Sequence, residues 1–415
     1  MDPGARIVAL SGDSHGYYSR PGLAYYLAND LPEARLFPFA PAEFDALGVT
    51  LLHARAENID AAAHAVTLSD GTTLDYDRLL VATGSSAMPA GVPGAELEGV
   101  VKLDDLDDAR DIVRRCRGSR TAVVVGGGIT ALEIVEGLRA RHVRVHYLMR
   151  RGRYWSDVLA EPESRLVEEG LRERGVRVHT YTRLSEIVGR AGRVVAVRTE
   201  AGEEIPCDMV ASAIGVRPEA AIARDAGLAC ARGVLVDRYL RSSDPDIFAA
   251  GDVAEVLDEA TGQGTLEVLW GSAVSKGRIA GHNMAAEQAV EYRESVALNV
   301  SRLAGVKITI IGTVGSGESA DLQGLSRGDS ETWRNVGGGV TIQSHDADCH
   351  VRLEVQGGVI VGAVVMGDQT LSYPLQELIE SRADVRDVLG ELRAPRAPVV
   401  KIVNGLWEEM AAHRV

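Results

Sequence analysis

Residues 121–150 read TAVVVGGGITALEIVEGLRARHVRVHYLMR, and the rest of the chain is organised around them. Four apolar residues, 122–125, run straight into Gly126-Gly127-Gly128. Apolar residues without alternation are the pattern of a parallel strand buried on both faces. From Ile129 the spacing turns helical: Leu132, Val135 and Leu138 recur at three, with Glu133, Glu136, Arg139 and Arg141 between them. A second strand, 143–148, follows. Strand, glycine turn, helix and strand make one βαβ unit of about thirty residues. Its glycine pattern is G-x-G-x-x-A, set by Gly126, Gly128 and Ala131, with Gly127, Ile129 and Thr130 in the open places. Gly126 permits the tight turn, Gly128 lets the backbone approach a pyrophosphate, and Ala131 lets helix pack closely on strand. The helix N-terminus adds free N–H groups and the positive end of a dipole. A glycine-rich strand end that only turns is the alternative; the elements on both sides favour dinucleotide binding.

The end of the second strand indicates which dinucleotide. An NAD site places an acidic residue there to accept from the ribose hydroxyls. This chain has Met149, then Arg150, Arg151 and Arg153. Guanidinium groups suit a 2′-phosphate, so NADPH is expected over NADH. The bland reading of these arginines is a solvated loop.

The chain has 415 residues, enough for two or three domains. Hydrophobic residues make up 46% and charged residues 25%, ordinary for a globular protein. A net charge of −15 argues against nucleic acid or an anionic membrane as partner. The four cysteines, Cys116, Cys207, Cys230 and Cys349, show neither metal-type nor C-x-x-C spacing, which predicts reduced structural thiols in a cytoplasmic protein. No apolar run reaches membrane-spanning length, and no signal peptide is expected.

In chain order, strands are predicted at 6–10, 49–52, 65–68, 72–74 and 79–81, with a hairpin at Asp70-Gly71 and a helix at 23–29 opened by Pro21. Residues 89–94 read as a linker and 106–116 as a helix. After the βαβ unit come a helix at 161–174 capped by Gly175, a strand at 176–180, a hairpin of 193–199 with 204–205, and a buried strand at 209–214. Strands at 234–237 and 247–250 precede a helix at 272–287 rich in small residues. Beyond 296 the pattern is strands first (307–311, 341–342, 351–355 and 359–365), then helices (375–380 and 400–412), with a Gly-rich stretch at 312–317 and a hairpin at Gln356-Gly357-Gly358. Strands followed by helices suggest a small α+β domain.

Four pieces fall in one order: LLVATG (79–84), VVVGGGITALE (123–133), MVASAIGVRP (209–218) and IFAAGD (247–252). Together they resemble the pyridine nucleotide–disulfide oxidoreductase superfamily over residues 5 to 290. The segment YSRPGLAYYL (18–27) looks closest to the ferredoxin, rubredoxin and nitrite reductase flavoproteins. The resemblance implies an α/β protein with two Rossmann-like dinucleotide-binding domains and a C-terminal α+β domain. The FAD domain would be discontinuous, 1–115 and 235–295, with the NAD(P) domain, 116–234, inserted and the third domain at 296–415.

The resemblance also implies cofactor contacts. Arg20 and Pro21 would lie by the isoalloxazine ring. Ala82, Thr83 and Gly84 would pass the flavin phosphates. Asp252 would accept from a ribityl hydroxyl or hold the pyrophosphate, with Gly251 letting the chain in close. Trp270, Ser272 and Ala273 would bring a helix N-terminus to the flavin pyrimidine. Ile129 and Glu133 would face the nicotinamide–flavin contact, and Gly215 with Val216 would line the NAD(P) cleft. Each has a plainer reading: Asp252 as a turn residue, Trp270 as core, Arg20 as a surface charge, Thr83 as a turn hydroxyl, Glu133 as a solvated helix residue.

Departures narrow the chemistry. The place of the family's single redox cysteine is Pro21, and no cysteine precedes Cys116, which argues against disulfide or cysteine-sulfenate chemistry. The lysine that relatives put near flavin N5 aligns with Tyr25, and the basic residue expected after the ATG stretch is Met88. The family's opening strand, G-x-G-x-x-G turn and helix would stand before Asp2-Pro3-Gly4-Ala5, the turn ahead of the strand at 6–10; about thirty residues of that pattern have no counterpart here. A misplaced start and a real loss of FAD binding are both open readings of that gap. The expected activity is FAD-dependent NAD(P)H oxidoreduction, with electrons passed to a ferredoxin- or rubredoxin-like carrier or an associated redox subunit. An NADH oxidase using oxygen directly and a flavin-free nucleotide-binding subunit are the alternatives. The C-terminal domain is expected either to pack near the flavin or to form the interface of a homodimer.

Overall fold

Parallel strands form at the largely apolar runs Thr121–Val125, Met209–Ser212 and Leu79–Val81 and at more mixed stretches such as Arg144–Leu148. The computed structural model describes residues 4–258, 262–286, 288–315, 325–334, 339–345 and 349–412. Asp2 and Pro3 of the leading turn, Glu287 at the end of the small-residue helix, and residues 316 and 317 of the Gly-rich stretch lie outside the described residues. The chain divides into two compact units. The first is Met1–Met88, Val101–Gly118 and Val216–Arg293; the second is Pro89–Val100, Ser119–Gly215 and Glu294–Val415.

In the first unit, strand Ile7–Ser11 pairs in parallel with Val49–His53, and Leu79–Val81 pairs in parallel with Ile247–Ala249. Its core gathers Ile59, Val66, Leu68, Val81, Val234, Ile247 and Phe248. The Asp70-Gly71 hairpin joins Ala65–Leu68 to Thr73–Asp75, and a third strand, Ala56–Asp60, precedes them. That strand escaped the sequence reading because AENID carries little apolar alternation. Helix Leu106–Cys116 matches its expected bounds. Asp105 caps it by accepting from the Asp108 N–H at 2.8 Å, while Asp107 and Asp108 open it and Arg114 and Arg115 close it, complementing the dipole. The first helix is shorter than expected, Gly22–Leu27, with Pro21 as its N-cap; Asn29 already sits in the left-handed region. The small-residue helix spans Trp270–Ala285, two residues earlier at its start than expected, so Trp270 begins it.

The second unit holds two five-stranded sheets. One runs Arg177–His179, Arg144–Leu148, Thr121–Val125 and Met209–Ser212, all parallel, with a short strand that begins at Val100 on its far edge. Helix Ile129–Ala140 packs Ile134, Val135 and Leu138, all fully buried. A three-stranded meander, Leu184–Arg190, Arg193–Thr199 and Glu204–Pro206, includes a first strand that the reading missed. The antiparallel sheet runs Leu298–Leu303, Val306–Gly312, Val359–Gly367, Cys349–Gln356, Val340–His345. Helices Ser372–Glu380 and Val399–Ala412 cover it through Leu375, Leu378, Val399 and Val403. Gln356 pairs with Val359, so Gly357 and Gly358 alone make the turn, with φ of +60° and +85° as a two-residue hairpin of the primed type requires.

One charged network lies inside this unit. Glu163, on helix Glu161–Glu173, is fully buried. Its Oε2 accepts from the Ala160 N–H at 2.7 Å, and its Oε1 accepts from Arg352 Nε at 2.8 Å, with His350 Nε2 at 3.2 Å. Arg352 also donates to Val314 O, Val158 O and Glu354 Oε1, at 2.7, 2.7 and 2.8 Å. Burial alone would raise the Glu163 carboxyl, but its bond to His350 and the charge of Arg352 outweigh burial and hold it below the ordinary carboxylate value. Removing one partner of such a pair leaves a buried charge uncompensated, at a cost on the order of 3–5 kcal/mol. Glu163→Gln is therefore expected to unfold at lower denaturant than the wild type at neutral pH. Because the folded carboxyl titrates lower than the unfolded one, the stabilisation is lost as pH falls. The gap between the two proteins, measured by urea titration, is expected to close below pH 4.5.

Candidate functional site

The glycine turn of the second unit is built by packing. Gly126 has φ +153°, and a Cβ there would stand 2.2 Å from Ala213 O and 2.9 Å from Ala131 Cβ. A side chain at 126 or a larger one at 131 would push helix from strand, which accounts for two of the three motif positions. Gly127 is exposed, with open space where its Cβ would point. Gly128 caps helix Ile129–Ala140 and is buried, because a Cβ there would meet Ser326 Oγ at 2.3 Å. A residue from the C-terminal part of the chain thus lies against Gly128, the position expected to let a pyrophosphate approach the backbone. Ile129 is 2% exposed and Ala131 is buried.

Unpaired polar atoms mark the same end of the sheet. Thr130 Oγ1 in the first helical turn, Tyr147 OH near the end of its strand and Ser212 Oγ at the end of another are buried without a hydrogen-bond partner among the described residues. Native structures seldom leave such atoms unsatisfied except where water or a ligand meets them. Glu133 is half-buried; burial first, and then Glu136, push its carboxyl up to about 7 against the opposing pull of Arg327. It is not the solvated helix residue of the plainer reading. Gly215 is buried with φ +130°, close beyond the strand ending at Ser212. Met149 is buried and donates to His179 O at 2.8 Å, while Arg150 is exposed. Arg151 pairs with Asp157 and reaches Ser156 Oγ at 3.3 Å, so it is committed to its own loop.

In the first unit, the parallel pair Leu79–Val81 and Ile247–Ala249 delivers the other expected residues side by side. Ala250 N–H donates to Val81 O at 3.1 Å, which sets Ala82-Thr83-Gly84 beside Gly251-Asp252. Ala82 and Thr83 are exposed, and Gly251 (φ +77°) has its nearest neighbour, Ala273 Cβ, 4.0 Å from where a Cβ would stand. A crevice outside the carboxyl ends of parallel strands is where open α/β sheets bind ligands. Asp252 accepts from Ser85 Oγ at 2.7 Å, Thr83 Oγ1 donates to Glu219 O at 2.6 Å, and Val216 pairs with Ala87. Trp270 is 60% exposed at the start of its helix and is not core. Ser272 turns inward instead and donates to Glu267 Oε2 at 2.6 Å, with Tyr292 OH 3.3 Å from the same oxygen. Arg20 is exposed and donates to Asp104 O at 2.7 Å; Pro21 beside it is exposed.

Other polar groups were not anticipated. Lys276 is buried, with Nζ 3.4 Å from Ala254 O. Asp108 is pushed up to about 6 by burial and by Asp105, against the opposing charge of Lys102. Ser326 and Arg327 come from a stretch without periodicity and gave no signal. Among the described residues no cluster of metal-ligating side chains occurs, and no helix is long and apolar enough to cross a membrane.

Residues 3–289 match the model of the pyridine nucleotide-disulphide oxidoreductase family, and the chain belongs to that family. The rubredoxin-NAD(+) reductase of Pseudomonas putida is 32% identical over 252 residues, 60% of this chain and 65% of that protein. The chain therefore spans just under two thirds of that relative. The ferredoxin–NAD(+) reductase component of the biphenyl dioxygenase system of Paraburkholderia xenovorans is 32% identical over 339 residues, 80% of this chain and 79% of that one. Among solved structures, the ferredoxin reductase for the CYP199A2 system of Rhodopseudomonas palustris superposes with a TM-score of 0.84 at 23% identity, covering 96% of this chain and 94% of the other. The α/β architecture is that of these reductases.

The raised Glu133 carboxyl has a measurable consequence. Since it binds its proton more tightly folded than unfolded, it costs the folded state stability as pH rises from 4.5 through about 7. Glu133→Gln is expected to melt above the wild type in alkaline buffer, with the difference shrinking to nothing toward pH 4.5, as followed by circular dichroism.

Proposed function

We propose that this chain is an FAD-dependent NAD(P)H oxidoreductase that hands electrons to a small redox carrier protein of the ferredoxin or rubredoxin kind. The observation that carries the reading is the presence, in a member of this family, of glycine-bearing loops at the carboxyl ends of parallel strands in each unit. Bound NAD(P)H and FAD would supply the hydride donor and the hydride acceptor. The chain supplies position and charge. Asp252, oriented by Ser85, is an acceptor for a ribityl hydroxyl, and Gly251 gives the ligand room. Thr83, tied to Glu219, fixes the path of Ala82-Thr83-Gly84 along the flavin phosphates. The N-terminus of the helix opening at Trp270 would favour negative charge on the pyrimidine of a bound flavin. In the second unit, Gly127 and the first turn of the Ile129 helix hold the nicotinamide nucleotide diphosphate.

NADPH is the preferred donor in this proposal. The support is Arg150, exposed at the end of its strand where an NAD site would carry an acid. The domain division at 1–115 with 235–295, 116–234 and 296–415 belongs to the same proposal, as does a cytoplasmic location, which the unpaired cysteine spacing supports. The first test is the visible spectrum of the purified chain before and after anaerobic NADPH. A flavin band that bleaches is expected; a colourless protein would overturn the reading. Arg150→Ala is expected to lower kcat/KM for NADPH by about tenfold and leave NADH nearly unchanged, as loss of one hydrogen bond to a charged group predicts.

A further inference from the structure

The contact between Gly128 and Ser326 places a second piece of chain on the glycine turn. Ser326 is 7% exposed, and its Oγ stands where a Cβ at Gly128 would need to be. The backbone N–H of Ser326 is engaged with Asp329 Oδ2 at 3.4 Å, but its hydroxyl makes no hydrogen bond among the described residues. Beside it, Gly127 is open, and Thr130 Oγ1 in the same turn is buried without a partner. Two hydroxyls therefore stand at the N-terminus of a twelve-residue helix, that of Ser326 against Gly128 and that of Thr130 buried without a partner among the described residues.

The turn that carries Ser326 is held from behind. Asp329, fully buried, also accepts from the Ser330 N–H at 2.9 Å and pairs with Arg334. Gly328 O accepts from Asn299 Nδ2 at 2.8 Å. Trp333 is fully buried, donates to Ala297 O at 3.1 Å, and meets Trp155 edge-on with 5.9 Å between ring centres. The hydroxyl is thus presented by a fixed frame, as a ligand contact requires. Charge points the same way: Arg327 brings a guanidinium into the field of Glu133 in a chain of net charge −15.

We propose that residues 325–330 are a second wall of the nucleotide site and that Ser326 binds the diphosphate of the nicotinamide nucleotide, its hydroxyl donating to a phosphate oxygen seated over Gly127. This rests on the nucleotide-site reading above and adds a residue that lies outside the glycine motif.

The test is calorimetric titration of NADP⁺ and NAD⁺ into the full-length wild type, Ser326→Ala and Ser326→Gly, with adenosine 2′-monophosphate as a probe lacking the diphosphate. Ser326→Ala is expected to weaken both dinucleotides by about tenfold and the monophosphate by less than about twofold, as loss of one hydrogen bond to a charged acceptor predicts. Ser326→Gly is expected to weaken them equally, and thermal unfolding of both variants to match the wild type. Unchanged affinity in both variants would overturn the assignment. Tighter binding by Ser326→Gly would also overturn it, by showing that Ser326 obstructs the site. A wild type that binds no dinucleotide would overturn the functional reading itself, an outcome distinct from an unaffected variant.

Discussion

A single buried carboxylate, Glu163, fixes two things at once in the second unit. One oxygen closes the N-terminus of the Glu161–Glu173 helix, and the other neutralises Arg352 on the central part of the C-terminal sheet. Arg352 spends its remaining donors on Val158, Val314 and Glu354, so the guanidinium is shared between the nucleotide-sheet loops and the antiparallel sheet. A buried ion pair contributes little net stability against an apolar substitute, but it tolerates few alternative arrangements once its hydrogen bonds are complete. The C-terminal sheet is anchored in this way, and the turn at 325–330 has a definite address.

The glycine turn is shaped by its own close neighbours. Its three small positions answer to three different neighbours. Gly126 answers to the Ala213 carbonyl, Ala131 to Gly126 itself, and Gly128 to Ser326. Gly127, one of the residues that the motif leaves unspecified, faces open space. In the first unit a parallel pair of three-residue strands does comparable work, bringing two loops far apart in sequence into register.

The βαβ unit was legible in the sequence because each of its elements is long, periodic and bounded by glycine. The helix at 106–116 was legible for a similar reason, since its cap and terminal charges are local signals. The strands at Ala56–Asp60 and Leu184–Arg190 were not, because their stability comes from cross-strand partners rather than from alternation of their own. Arg151 looked like a second nucleotide contact in sequence; nothing local announces that Asp157 pairs with it. Ser272 looked like a helix-start ligand, and nothing local announces that Glu267 draws its hydroxyl inward. Glu163 read as one more charge on a charged helix, because its partners lie nearly two hundred positions downstream. Ser326 was hidden for the same reason, within a stretch of glycine and serine that carries no period.

The closeness of Gly128 and Ser326 also has a consequence for inheritance. Roughly 200 positions separate them in the chain, yet a methyl group at one would claim the space of the hydroxyl at the other. Neither position can drift freely. A lineage that acquired alanine at 128 would tolerate it only alongside a smaller residue at 326, so the two codons behave as a single locus under selection. Recombination that exchanged the C-terminal part alone would separate them, and its products would be sorted first by whether residue 128 still fits beneath its neighbour.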